Sequence, residues 1–464
     1  MIKAERWLGL AFFLSLIFMT PSVRGDGVGY YALIRAPLIE HSFHFEKDWR
    51  VGYPAIQVGT PNGTNSKGFL GYTRTGHLGN FYAIGPALLW APFLIVAHLA
   101  VLAANAMGAH IAADGFSRPY IYAMAIGTAV YAFFALIFAF RLACRYVESE
   151  WAMLATIGVW LASSFPAYLY VFPSWSHVQS AFAVGLFVWY WDGTRGQLTL
   201  RRWSLLGLAA ALMINIYYVN ALFLLLPFLE TCASAWRMLH GSSEDRNRFA
   251  TLMPANLVFA AACALGLAPT LATKLIIFGS PFRSGYTNVS QWHWSSPHLL
   301  GVLFSSDHGL LVWTPIIIPA IAGLIAGWNR MGDLVRYSLA VFAVFTYVVA
   351  SHVYWDGVAS FGNRFFISFT PIFVAGLANA LKLFAGIWRE PHSGFVRAAV
   401  IVAILAIWNI GFLFQCATGL APLYGPISWN EMVYNQFRTV PQDASSAVFN
   451  RLTGWARPPR LPKD

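Results

Sequence analysis

Long apolar runs separated by short polar segments dominate the chain. A run of about 20 apolar residues is long enough to cross a bilayer as a helix, and most of the runs approach or exceed that length. The run at 203–235 is long enough for two passes broken near Asn215 to Asn220, so the pattern predicts about 11 to 13 membrane segments. The runs cover residues 7–23, 81–104, 119–141, 151–171, 178–191, 203–235, 251–278, 309–327, 336–354, 365–386 and 396–418.

Composition supports the same fold class. Of the 464 residues, 58% are hydrophobic and only 11% are charged, with a mean hydropathy of +0.57. Soluble domains carry about 25% charged residues, so this chain lacks the polar surface of a soluble protein. We predict an all-α polytopic membrane protein. Its transmembrane domain covers 1–418, with a retained first helix, and an outer-face tail covers 419–464.

The net charge of +11 does not indicate nucleic-acid binding. The basic residues stand singly or in small groups between apolar runs, which is the arrangement that orients membrane proteins. With the N-terminus and the turns 141–150, 192–202, 236–250, 328–336 and 382–397 in the cytoplasm, these segments hold 15 of the 30 basic residues. The four cysteines show neither metal-ligand spacing nor a disulfide framework.

This orientation places the unusual polar segments on the outer face. They are the loop 24–80, the turn 172–177, the loop 279–308 and the turn 355–364. One conflict remains, because two full spans between 81 and 141 would put Arg141 and Arg145 outside. Proline removes a helix hydrogen bond, so Pro86 and Pro92 favour 81–104 as the broken or partial helix.

Three short motifs stand out along the chain. An aspartate follows the first helix, a proline-broken helix follows the first loop, and a Trp/Gly-rich motif lies late in the chain. The segments are Gly25-Asp26-Gly27-Val28-Gly29-Tyr30-Tyr31, Asn80 to Pro92, and Trp355 to Phe366 (WDGVASFGNRFF). As an ordered pattern that covers most of the chain, they resemble the GT-C superfamily of integral membrane glycosyltransferases, which includes the protein O-mannosyltransferases and the enzymes that add aminoarabinose to lipid A.

The resemblance implies an inverting sugar transfer from a polyprenyl-phosphate donor to a lipid or glycan acceptor. Asp26 matches the position of the general base, which takes the proton of the acceptor. The donor phosphate requires cations or hydrogen-bond donors, and aromatic rings suit the sugar. The candidate substrate-binding residues are Glu46, Asp48, Lys67, Arg74, His77, His177, Arg283, Tyr286, Trp355, Asp356 and Arg364.

The metal pattern of some relatives is missing here. Those relatives carry paired acids, whereas Asp26 has no second acid two residues later. No cofactor is therefore implied, although Glu46 and Asp48 are available to a divalent metal. Simpler roles compete with the functional ones: Asp26 as a helix cap, Arg364 as a snorkelling arginine, and Asp307 and His308 as turn residues.

Two other functions stay open. A transporter or flippase would place ionisable residues near the bilayer midplane, and here only Lys274 approaches that position. A polysaccharide polymerase or ligase would favour a longer late loop than 279–308. The expected setting is a bacterial inner membrane with the active site facing the periplasm.

Overall fold

The computed structural model describes residues 3–53, 71–241, 243–283, 289–388 and 390–453. Within these ranges the chain is helical, and β-structure is confined to two isolated bridges, Tyr72 with Leu78 and Trp292 with His352. The prediction of an all-α polytopic membrane protein is confirmed. The α-helices, in chain order, are α1 (Lys3–Ser15), α2 (Asp26–Arg35), α3 (Glu46–Gly52), α4 (Gly85–Ala106), α5 (Arg118–Ala143), α6 (Ser149–Ala162), α7 (His177–Gly193), α8 (Leu200–Ile216), α9 (Leu225–His240), α10 (Ser243–Gly266), α11 (Ala268–Phe278), α12 (Leu299–Phe304), α13 (Leu310–Trp313), α14 (Ile317–Ala326), α15 (Asp333–Ala350), α16 (Thr370–Ala385), α17 (Pro391–Thr418), α18 (Trp429–Phe437) and α19 (Thr439–Thr453).

Six helical segments of the described chain are long and apolar enough to cross a membrane. A seventh is added if α10 and α11, which meet at a bend of 44°, form one broken span. The other apolar runs are also helical but shorter, and the run at 203–235 breaks at a 3-10 turn, Tyr218–Leu224. The six segments are Gly85–Ala106, Arg118–Ala143, Tyr218–His240, Asp333–Ala350, Arg364–Ala385 and His392–Thr418.

The chain divides into two compact units. The first unit holds residues 1–10, 139–167 and 290–464, and the second holds 11–138 and 168–289. The helices α6 and α12 to α19 therefore belong to the first unit. The helices α2 to α4 and α7 to α11 belong to the second, with most of α5.

In the first unit, α14 and α16 pack almost backbone to backbone. A Cβ atom on Gly323 would lie 2.0 Å from the carbonyl oxygen of Gly376, so neither helix tolerates a side chain at this contact. Asn379 adds a hydrogen bond of 2.7 Å to the Gly323 carbonyl. Close approach through small residues, reinforced by a polar side chain, is typical of helix packing in membranes.

The same unit contains an ion pair that bears on orientation. Glu5, at the start of α1, is buried and pairs with Arg141, near the end of α5, at 2.7 Å. The N-terminus and the turn after α5 therefore lie at the same level, as the distribution of basic residues requires. Both α4 and α5 are long and apolar enough to cross a membrane, so this pair does not identify α4 as a partial helix.

The region 24–80, which was expected to be a loop, contains helices, and so does the predicted outer-face tail. In the region 24–80, α2 continues into a π-helical turn, Ala36–Glu40, and is followed by α3. Tyr30, Tyr31 and Leu33 of α2 are buried in the hydrophobic core of the second unit, which is why the segment folds. In the tail, Gln436 of α18 bonds Gln415 of α17 at 2.8 Å.

Candidate active site

Asp26 is the first residue of α2 and lies half-buried. The hydroxyl of Tyr82 donates a hydrogen bond of 3.0 Å to its carboxylate oxygen Oδ1. The two residues belong to different segments of the second unit, since Tyr82 lies just before α4. The fold therefore brings the predicted base together with a phenol that the sequence did not single out.

The glycines on either side of Asp26 make room for the groups that surround it. A Cβ atom would lie 2.5 Å from the Trp175 ring at Gly25, 2.0 Å from the Ser174 hydroxyl at Gly27, and 2.0 Å from the Tyr82 ring at Gly29. Only glycine allows these three contacts. The glycine-rich pattern thus serves to pack a serine, a tryptophan and a tyrosine around one carboxylate.

Lys274 fixes the segment that carries Tyr82. Its buried ammonium group donates hydrogen bonds of 3.0 to 3.2 Å to the backbone carbonyls of Asn80, Phe81 and Tyr82. The Asn80 side chain donates a further hydrogen bond of 2.9 Å to the Gly29 carbonyl. Because a lysine ammonium has three donors, Lys274 is saturated and acts as a positioning residue. The signal in the sequence was a single lysine inside an apolar run.

Trp175 and His177 occupy an aromatic cluster beside Asp26. The Trp175 indole donates a hydrogen bond of 2.8 Å to the Arg24 carbonyl. His177 is only 3% exposed, and its ring lies 4.7 Å from that of Tyr168 and 5.4 Å from that of Tyr217. This burial favours a packing role for His177 over contact with a substrate.

The acidic cluster of the first loop forms a buried ion-pair network. Arg35 donates to both oxygens of Asp48, at 2.5 and 2.6 Å, and to Glu40 at 2.8 Å. Arg35 is fully buried and Asp48 is 2% exposed. Burial alone would lower the pKa of Arg35, but its hydrogen bonds to Asp48 and Glu40 raise the pKa above its usual value. The geometry favours a structural role for Asp48, with its oxygens held by Arg35.

The remaining candidates in the second unit lie nearer its surface. His77 stacks on His44 with 5.2 Å between ring centroids, and Glu46 lies 4.0 Å from His44. Burial and the charge of His44 lower the pKa of His77. Arg74 and Arg283 are exposed. Lys67 and Tyr286 lie outside the described residues.

The first unit contributes a separate polar cluster. The ligand-type atoms of Asp307, His308 and Asp356 all lie within 4.8 Å of one another. His308 has a backbone φ of +59°, an uncommon conformation for a residue with a side chain. The sequence placed Asp307 and His308 in a turn, and no spacing rule connects them to Asp356.

The cluster lies close to Arg364, the first residue of the 3-10 turn Arg364–Phe369. Burial and the Arg364 guanidinium lower the pKa of His308 to about 4, against a weaker opposite effect of the Asp356 and Ser360 backbone carbonyls. Burial and the neighbouring Asp356 raise the pKa of Asp307. The imidazole is therefore neutral and enclosed.

Trp355 precedes this cluster and packs against α12. Its ring stacks on His298 with 5.7 Å between centroids, and a Cβ atom on Gly301 would lie 3.0 Å from it. Asn363 donates a hydrogen bond of 3.0 Å to the Trp355 carbonyl. These contacts cover one part of the Trp355 ring and fix the entry to the turn 355–364.

The predicted site residues thus fall into two sets, one in each unit. Asp26, with Tyr82, Ser174 and Trp175, belongs to the second unit. Asp356 and Arg364, with Asp307 and His308, belong to the first.

Solved structures similar to this chain include two of an archaeal oligosaccharyltransferase from Archaeoglobus fulgidus. One is AglB in complex with an inhibitory peptide and a dolichol-phosphate, with 13% identity, a TM-score of 0.49 and coverage of 100% of this chain and 61% of that one. The other is the apo form, with 12% identity, a TM-score of 0.47 and coverage of 95% and 57%.

The chain therefore spans about three fifths of the length of the structures it matches. No protein-family model and no curated protein matches the sequence.

Proposed function

We propose that this protein is a membrane glycosyltransferase that moves a sugar from a polyprenyl-phosphate donor to a lipid or glycan acceptor. The transfer inverts the anomeric centre, and Asp26 is the general base. The observation that carries the proposal is the half-buried Asp26 carboxylate, held at the start of α2 by the Tyr82 hydroxyl.

An inverting transfer needs a base that takes the acceptor proton as the acceptor oxygen attacks the anomeric carbon. A carboxylate performs this task best when its orientation is fixed before the substrates bind. Tyr82 fixes one oxygen of Asp26, and Lys274 fixes the segment that carries Tyr82. The whole assembly lies within one unit.

The leaving group is a lipid phosphate, whose developing charge needs a fixed cation. Arginine suits this role, because its planar guanidinium matches the oxygens of a phosphate. Arg74 and Arg283 belong to the same unit as Asp26 and are exposed, so they are the candidates within that unit. Trp175, packed against Gly25 beside Asp26, offers an aromatic ring to the sugar or to the first isoprene unit.

The proposed setting is a bacterial inner membrane, with the Asp26 site open to the periplasm. The support is the distribution of basic residues between cytoplasmic and outer segments. Polyprenyl-phosphate sugars presented on the outer leaflet would then reach Asp26 from the lipid phase.

The transporter alternative depends on a mobile or accessible charge within the membrane. Lys274 is the ionisable residue that comes nearest to such a position in the sequence. Its three donors are occupied by three backbone carbonyls, and its ammonium lies 5.3 Å from the Phe278 ring. A lysine bound in this way holds the fold together, which favours the enzyme.

Two preparations of the purified protein separate the classes. Nanodiscs expose both membrane faces and have no lumen, so they report chemical turnover only. We expect sugar release from at least one of a panel of radiolabelled polyprenyl-phosphate sugars, with crude envelope lipid as acceptor. Movement of intact donor across sealed proteoliposomes, with no release of sugar in nanodiscs, would establish transport instead.

A further inference from the structure

The cluster of Asp307, His308 and Asp356 brings together three side chains that bind metal ions. The segment after α12 supplies the first two, and the turn 355–364 supplies the third. One imidazole nitrogen and one oxygen from each carboxylate lie within 4.8 Å of one another. Ligands at about 2.1 Å from a shared ion are about 3 to 4 Å apart, so small side-chain movements would close the site.

The state of His308 points to a missing partner. Its side chain is fully buried, and among the described residues neither ring nitrogen has a partner with hydrogen-bond geometry, although the backbone carbonyls of Asp356 and Ser360 lie near the ring. The nearest carboxylate oxygen, Asp307 Oδ1, is 3.1 Å from Nδ1 but is not aligned for a hydrogen bond, and it also lacks a partner. A buried polar atom without a hydrogen-bond partner destabilises the folded chain, so a ligand bound here would stabilise it.

We propose that Asp307, His308 and Asp356 bind a divalent transition metal, Mn²⁺ or Zn²⁺. The ion would be coordinated by a ring nitrogen of His308 and would neutralise the negative charge of the two neighbouring carboxylates. One imidazole with two carboxylates suits Mn²⁺ and Zn²⁺, whereas Ca²⁺ and Mg²⁺ prefer oxygen ligands alone. Three protein ligands leave at least one coordination position open for water or a substrate oxygen.

The site does not depend on the proposed glycosyltransferase activity. It contains neither Asp26 nor Tyr82, and it lies within the first unit. It also differs from a metal site at Glu46 and Asp48, the acids that the sequence offered to a divalent metal, because Asp48 is held by Arg35.

Electron paramagnetic resonance of Mn²⁺ tests the site without an activity assay. The full chain in nanodiscs is stripped with a chelator, freed of the chelator and titrated with Mn²⁺. We expect one bound Mn²⁺ per chain with nitrogen coupling from one histidine, and displacement by Zn²⁺, which binds such sites more tightly. The His308→Gln variant should lose the nitrogen coupling and bind at least about tenfold more weakly.

The variants Asp307→Asn and Asp356→Asn should also weaken Mn²⁺ binding, and they serve if His308→Gln fails to fold. Asp333→Asn is the matched control, because this acid of the same unit forms an exposed pair with Arg336 at 3.6 Å. It should bind Mn²⁺ as the wild type does. Absence of Mn²⁺ binding by the folded wild type would overturn the proposal, as would binding that is unchanged in all three ligand variants.

Discussion

The hydroxyl of Tyr82 lies 3.0 Å from the carboxylate of Asp26 and donates a hydrogen bond to it, across 56 residues of sequence. Three features converge on this contact: the absence of a side chain at Gly29, the hydrogen bond from Asn80 to the Gly29 carbonyl, and the saturated ammonium of Lys274. Several separate contacts therefore hold the Tyr82 hydroxyl against the Asp26 carboxylate. Such support is expected where the orientation of a carboxylate matters to chemistry.

Tyr82→Phe removes only the hydroxyl that orients Asp26. A hydrogen bond to a charged group contributes about 1.5 to 3 kcal/mol, so we expect turnover to fall by about 10-fold to 100-fold with little change in donor affinity. Tyr31→Phe is the control, since its hydroxyl donates to the Gly115 carbonyl, away from Asp26. Equal turnover by Tyr82→Phe and wild type would show that the Tyr82 hydroxyl does not orient Asp26 for catalysis.

Gly29→Ala tests the packing of α2 against the Tyr82 ring. In an ordinary helix this change is favourable by about 1 kcal/mol. Here the new methyl group would lie 2.0 Å from the ring, so we expect lower thermal stability and loss of turnover. A Cβ atom at Gly185 would lie 3.4 Å from its nearest neighbour, the Cβ atom of Phe138, which is an ordinary van der Waals distance. Gly185→Ala should therefore be as stable as the wild type. A stabilised Gly29→Ala would contradict the described packing.

Lys274→Met keeps the length of the side chain and removes its three hydrogen bonds. Each buried carbonyl that loses its partner costs about 1 to 3 kcal/mol, so thermal stability and turnover should fall together. Lys382→Met is the comparison, because Lys382 pairs with the exposed Glu148, and exposed pairs contribute about 0 to 1 kcal/mol. Vectorial substrate movement that is lost in Lys274→Met, with stability unchanged, would instead support a transporter.

Breaking the Arg35–Asp48 pair should destabilise the protein without affecting substrate binding directly. Removing one partner of a buried ion pair costs about 3 to 5 kcal/mol, so Arg35→Met and Asp48→Leu should each lower the melting temperature strongly. The double variant should recover much of that loss, because no buried charge is left alone. An unchanged melting temperature with a raised donor KM in Asp48→Asn would restore Asp48 as a substrate contact.

The sequence predicted the fold class because apolar runs of membrane length leave few other structures. Asp26 stood out for a similar reason, as an acid between glycines at the end of an apolar run. Tyr82 and Lys274 did not stand out as its partners, because their roles depend on contacts between segments 56 and 192 residues apart. Contacts between segments so far apart cannot be predicted from residue types and their spacing along the chain.

The prediction of open loops failed in part for the region 24–80. Its polar residues suggested a solvated segment, but Arg35, Asp48 and Glu40 satisfy one another, and the tyrosines of α2 pack into the core. Likewise, the sequence predicted a turn at His308, and only the fold shows that the His308 ring is buried beside Asp307 and Asp356. The sequence shows which residues are charged, but not whether each of them is solvated or paired with another side chain in the folded protein.

The most direct test of the account is turnover of Asp26→Asn in nanodiscs, with the donor that the wild type consumes. A general base contributes about 10²-fold to 10⁴-fold, so we predict a loss of that size with donor binding retained. Asp114→Asn serves as the control, since this acid accepts hydrogen bonds from the Phe116 and Ser117 amides before α5. Wild-type turnover by Asp26→Asn would contradict the central claim that Asp26 is the base.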